Sequence, residues 1–268
     1  MIEFFLFIFL GAMTGLLAGM FGIGGGSLMV PALIFIFHQM GFVDEIIVHM
    51  AIGTSLASIL FSALSSSYTH HKKQSVEWTI ALLLSAGMLV GAFMGAKYAN
   101  DLNNEQLMLI IVVFLVLVGS DMLFGYSARW ISAEQKKLPS IPPLLTPIHG
   151  SWIGFLSSIL GIGGGSFTAP LLTAHGYSIH KGIGTAAACG IPIACSGAIG
   201  YMYFGYLNPS LPTNTTGFVF WPAVIGIGLS SVLTARMGAN ITHSISPDLL
   251  KKMFGAFLLL VAFLVRLN

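Results

Sequence analysis

The chain has 268 residues, 56% of them hydrophobic and only 7% charged, where an ordinary soluble domain carries roughly a quarter charged. Eleven Lys and Arg with nine Asp and Glu cannot solvate the surface of a water-soluble protein of this size, so lipid has to cover most of it. That arithmetic excludes a cytosolic enzyme, and a formal charge of +2 is too weak a bias to argue for nucleic acid.

In chain order, apolar runs fall at residues 2–21, 27–38, 46–67, 78–97, 106–125, 144–160, 166–176, 181–206, 217–237 and 249–267. The fold class expected from them is an all-α polytopic membrane protein. The first run lacks a basic flank and leads into a pattern that recurs, so it reads as a retained helix and not as a cleaved signal. Residues 2–38 would span about 55 Å as one helix, more than a single crossing of a roughly 30 Å hydrocarbon core needs. Gly24, Gly25 and Gly26 with Pro31 are expected to break that helix into a hairpin. Unwound backbone at membrane depth survives only where protein or a wet cavity surrounds it, so the glycine tip should be buried. Between the fifth and sixth runs lies the longest polar stretch, ending in Pro139, Pro142 and Pro143, which reads as a linker.

The second half repeats the first. Gly22 to Ser27 and Gly161 to Ser166 both read GIGGGS, and each is followed by a proline, Pro31 and Pro170. Downstream, His49 and Gly53-Thr54 match His180 and Gly184-Thr185, and the next segment opens with Trp78 in one half and Trp221 in the other. The expected organisation is a first repeat over 1–125, a cytoplasmic linker over 126–143 and a second repeat over 144–268, each with a glycine-broken hairpin. If each hairpin returns to its own side, one face collects Lys72, Lys73, Arg129, Lys136, Lys137, Lys181, Arg236, Lys251 and Lys252, leaving only Lys97 and Arg266 for the other. Such a bias marks the cytoplasmic face, and it makes the halves enter the membrane in opposite senses, with both termini away from the cytoplasm.

Inverted repeats with interrupted helices are the common plan of secondary transporters, whose paired breaks frame the substrate near the midplane. A glycine tip turns successive N–H groups toward one point, and the helix after it adds its positive end. That suits a compact anion held by peptide dipoles and hydroxyls. The candidate substrate site is Gly22, Gly24, Gly25, Gly26, Ser27, Thr54 and Ser55 with Gly161, Gly163, Gly164, Gly165, Ser166 and Thr185. Close helix packing is the plainer account of glycines in membranes, and duplication together with the proline favours the site. His49 and His180 are candidates for carrying a coupled proton, although interfacial placement is the commoner role. Asp121 is expected to snorkel to the interface. Cys189 and Cys195 read as small packing residues, and Trp78, Trp130 and Trp221 as interface anchors. Pro192 implies a kink that the first half lacks. No metal-ligand spacing, cofactor signature, nucleotide loop or hydrolase motif is present in the sequence.

The duplicated glycine motif with its proline, the Gly-Thr of the third segment and the final Pro247-Asp-Leu-Leu-Lys-Lys-Met-Phe resemble the sulfite exporter TauE/SafE family along essentially the whole chain. The resemblance implies a multi-pass permease of the inner membrane that moves small sulfur-containing anions such as sulfite or organosulfonates. By position it implies the paired glycine motifs as the site. The expected function is secondary transport by alternating access. The rival readings are an anion channel on the same scaffold and an intramembrane thiol-dependent carrier or enzyme using Cys189 and Cys195.

Overall fold

The computed structural model describes residues 2–21, 25–125 and 142–241, together with Lys252, Gly255, Ala256, 258–260, Ala262 and Phe263. The helices are α1 (Ile2–Phe21), α2 (Gly26–Gln39), α3 (Asp44–Lys72), α4 (Trp78–Asn100), α5 (Asn104–Phe124), α6 (Thr146–Leu160), α7 (Gly165–Ala174), α8 (Ile179–Gly205) and α9 (Trp221–Ile241). A two-residue ribbon, β1 (Thr215–Thr216) paired antiparallel with β2 (Val219–Phe220), leads into α9. Of these helices α1, α3, α4, α5, α8 and α9 are long and apolar enough to cross a bilayer. Phe5, Leu82, Leu117, Leu229 and Leu233 are each at least 65% exposed, a surface that only lipid can cover at low cost. The chain is a multi-pass, all-α membrane protein. The linker expected over 126–143 falls almost wholly outside the described residues, as do Arg129, Trp130, Lys136, Lys137 and Lys251.

Helix directions follow from which backbones touch. A Cβ built on Gly53 of α3 would lie 3.0 Å from Tyr201 of α8, one on Gly197 2.9 Å from Leu56, and one on Gly190 3.4 Å from Ala63. Rising numbers on α3 meet falling numbers on α8, so the two helices cross antiparallel at the centre of the bundle. Elsewhere Gly11, Gly15 and Gly19 of α1 face Ile227, Ser231 and Ala235 of α9 in parallel, and Gly87, Gly91 and Gly95 of α4 face Pro147, Ser151 and Phe155 of α6 in parallel. α9 thereby packs against α1, and α4 against α6.

Small residues recurring every fourth position let helix backbones approach closely, which in lipid replaces the hydrophobic drive between helices. Hydroxyls tie the two central helices to their neighbours. Ser65 on α3 donates to the Val232 carbonyl at 2.6 Å, and Ser196 on α8 donates to the Leu89 carbonyl at 2.5 Å. In the register that pairs Thr54 with Thr185, these serines correspond to each other.

One expectation fails in part. Gly26 and Pro31 do not exclude helix between them: α2 starts at Gly26 and runs through Pro31, as α7 starts at Gly165 and runs through Pro170. A proline here forfeits one intrahelical bond to the carbonyl four residues earlier, and the burial of Leu28, Met29, Val30 and Leu33 holds the helix regardless. Among the described residues the two hairpins break at glycine, at Gly25 and at Gly161 and Gly164. Pro192, expected to kink its helix, lies inside α8.

Candidate functional site

Each break ends in the same backbone state. Gly25 (φ 71°, ψ −2°) and Gly164 (φ 73°, ψ −7°) cap α2 and α7 in the left-handed region, which a residue with a Cβ adopts only under strain. Gly161 ends α6 in the same region, at φ 67°. Leu28 and Met29 donate to the Gly25 carbonyl, and Phe167 and Thr168 to the Gly164 carbonyl. The N–H groups of Gly26, Ser27, Gly165 and Ser166 precede any intrahelical acceptor and have no other backbone acceptor among the described residues.

The two breaks meet. A Cβ on Gly26 would overlap the Gly161 carbonyl and lie 2.7 Å from Ile162 Cα, so the start of α2 rests on the backbone of the second glycine turn. Ser55 donates to the Gly161 carbonyl at 2.8 Å and Gly163 lies beside Gly190 of α8. Gly22 and Gly24 lie outside the described residues.

Around this junction are buried hydroxyls with no hydrogen-bond partner: Ser27, Ser66, Ser157, Ser158, Ser166 and Thr168. Buried polar atoms are nearly always paired, and each exception calls for a cause. The adjoining cavity, bounded by Ala18, Ser62, Ala63, Ser66, Gly163, Ala187 and Gly190, measures about 10 Å³, room for about one water. As it stands it has no room for an anion of several atoms.

Two of the predicted residues hold backbone groups of distant helices. Thr54 Oγ1 accepts the N–H of Phe220 at 3.0 Å, and Thr185 Oγ1 accepts the N–H of Glu77 at 3.0 Å. Phe220 and Glu77 immediately precede Trp221 and Trp78, so each threonine caps the fourth long segment of the opposite half. Spacing within one half could not reveal partners so far along the chain.

The paired histidines lie at opposite ends of the bundle. His49 donates from Nε2 to the Ala99 carbonyl at 3.1 Å, stacks on Phe218 at 5.1 Å, and keeps a buried Nδ1 without a partner. It lines a vestibule of about 650 Å³ whose walls include Asp44, Glu45, Asn103 and Glu105. His180 is exposed at the other end, where Lys181 pairs with Glu77 and Lys73 donates to the Ala239 carbonyl at 2.9 Å. Trp78 and Trp221 are part-exposed at helix starts, as expected of anchors. Cys189 is buried, Cys195 half-buried, and both are free thiols. No His, Cys, Asp and Glu cluster able to hold a metal occurs among the described residues.

Residues 7–265 match the profile of the sulfite exporter TauE/SafE family. A probable membrane transporter protein of Haemophilus influenzae is 34% identical over 95% of this chain and 95% of its own length. Similar proteins bearing the same description occur in Methanocaldococcus jannaschii, 28% identical over 94% and 91%, and in Bacillus subtilis, 28% identical over 89% and 90%. No solved structure matches the chain significantly. With the match running over nearly its whole length, the chain belongs to the sulfite exporter TauE/SafE family.

Proposed function

We propose that this protein is a secondary transporter of a small, sulfur-containing oxyanion such as sulfite or an organosulfonate across the inner membrane, working by alternating exposure of a site between the two glycine turns. The reading treats residues 1–125 and 144–268 as inverted repeats joined by a cytoplasmic linker. The antiparallel crossing of α3 and α8 supports the inversion, because a two-fold axis relating antiparallel helices lies in the membrane plane.

The observation that carries the proposal is the meeting of Gly26 with Gly161 and Ile162, beside N–H groups that have no backbone acceptor, and hydroxyls that have no partner, among the described residues. Peptide donors aimed at one point, backed by helix N-termini, hold an oxyanion without a cationic side chain. In the closed conformation those donors are unsatisfied, and an arriving anion would satisfy them. Exit from a cell that is negative inside is downhill by about 2.3 kcal/mol per charge per 100 mV. It needs no coupling ion, so neither His49 nor His180 has to carry a proton for export.

The test is flux of labelled sulfite in proteoliposomes. Gly25→Val and Gly164→Val should each abolish it, since both place a branched side chain in left-handed backbone and the first would press on the Thr14 carbonyl, 2.5 Å from the new Cβ. Ser27→Ala with Ser166→Ala keeps the backbone and should raise the half-saturating concentration roughly ten-fold. Unchanged flux in all of these would overturn the glycine-turn site. Counterflow of labelled sulfite against unlabelled sulfite is expected of a carrier, and its absence would favour a channel.

A further inference from the structure

The central cavity is not on the pseudo-two-fold point. In the register that pairs Thr54 with Thr185, Ser62 corresponds to Ile193, Ala187 to Leu56 and Gly190 to Ile59. Ala63 and Ser66 correspond to the small residues Ala194 and Gly197, but at the three other positions small residues or a hydroxyl on the hollow side face the large, fully buried Leu56, Ile59 and Ile193 on the related side. Those large side chains sit on the glycine surfaces: Ile59 lies 2.9 Å from a Cβ built on Gly26, Leu56 lies 2.9 Å from one on Gly197, and Ile193 would overlap one on Gly164. The hollow side faces the end of the bundle where α3 finishes and α8 begins, with Lys72, Lys73 and Lys181. The filled side faces the acidic vestibule. Ser66, 1% exposed, lines the hollow and its Oγ has no partner.

We propose that the anion rests in this off-centre pocket, against Ser62, Ser66 and Gly163, and that Leu56, Ile59 and Ile193 form an apolar plug closing the route to the vestibule. This rests on the transport reading above, sets the resting place of the closed conformation to one side of the two glycine turns, whose own donors the anion meets only once the plug moves, and gives the path a polarity. The pocket is reached from the basic face, and the plug has to move before cargo passes. A buried hydroxyl with no partner carries a desolvation cost that a charged guest removes. Three branched side chains exclude water and ions from the other half of the path as a hydrophobic constriction does.

Accessibility tests the pocket without depending on the cargo. In a chain with Cys189→Ser and Cys195→Ser, Ser66→Cys in oriented proteoliposomes is exposed to the small anionic reagent 2-sulfonatoethyl methanethiosulfonate. Modification is expected from the basic face only, and adding Ile193→Ala should open the same cysteine to reagent from the vestibule face. Reaction at equal rates from both faces without Ile193→Ala, or from neither face, overturns the assignment. Ser66→Ala is the second variant, expected to raise the half-saturating sulfite concentration roughly ten-fold; an unchanged value would remove Ser66 from the site. Absence of sulfite flux in the unaltered protein would instead sink the transport reading, and the labelling pattern would still decide the pocket and the plug.

Discussion

A hydroxyl that accepts an N–H at a helix start removes one of the donors which the first turn leaves without a partner, an effect of about 1 kcal/mol. Thr54 and Thr185 do this across the two halves, for Phe220 and Glu77. Thr185→Val keeps the volume and strands the Glu77 N–H, so the melting temperature in detergent should fall by about 3 °C, with Thr185→Ser close to the unaltered protein. The half-saturating sulfite concentration should not move in either variant. A change in affinity without a change in melting would return Thr185 to the substrate site. The hydroxyl's identity was readable from the repeat, and its task was not. A donor 108 residues away leaves no trace in local spacing, whereas Gly25 and Gly164 were legible because a left-handed turn needs glycine at that position.

The helices are held together by backbone proximity. On α4, a Cβ at Gly91 would overlap the Ser151 carbonyl and come within 2.8 Å of Ser151 Cα, so the α4–α6 contact is lined by main chain with no room for a methyl group. Gly91→Val should therefore cost on the order of 1–3 kcal/mol or more through forced separation of the helices. Leu82→Val, on a side chain 67% exposed to lipid, should cost under about 0.5 kcal/mol. Chemical denaturation in mixed micelles reads both, and equal losses would mean that the close contact contributes nothing. The stripes Gly11, Gly15, Gly19 and Gly87, Gly91, Gly95 stand in the sequence at the spacing that marks helix association in membranes. The duplicated GIGGGS draws the eye first, yet those stripes organise more of the bundle. Pro31 misleads in the other direction. Local propensity argues against helix between Gly26 and Pro31, but α2 gains more from burying its apolar residues than the missing bond costs.

Across the whole molecule, charge divides the two ends. Lys72, Lys73 and Lys181 lie where α3 ends and α8 begins, while Asp44, Glu45 and Glu105 ring the vestibule where α3 and α5 begin. That division was legible because charged residues in a membrane protein gather at segment ends. What counting could not give is the shape of the two mouths: a wide acidic vestibule on one side and a tight, hydroxyl-lined hollow on the other. An acidic mouth lowers the local concentration of anions and a basic one raises it, over roughly a Debye length of 8–10 Å at physiological salt. Anion entry from the vestibule face should accordingly be slower than from the basic face. Glu45→Gln with Glu105→Gln should speed vestibule-side entry of labelled sulfite about two- to five-fold at low ionic strength and leave basic-face entry unchanged. Near 0.5 M salt the difference should vanish as screening removes the field. If the double variant leaves vestibule-side entry unchanged at low salt, anions do not pass that mouth, and the path through the bundle has to open elsewhere.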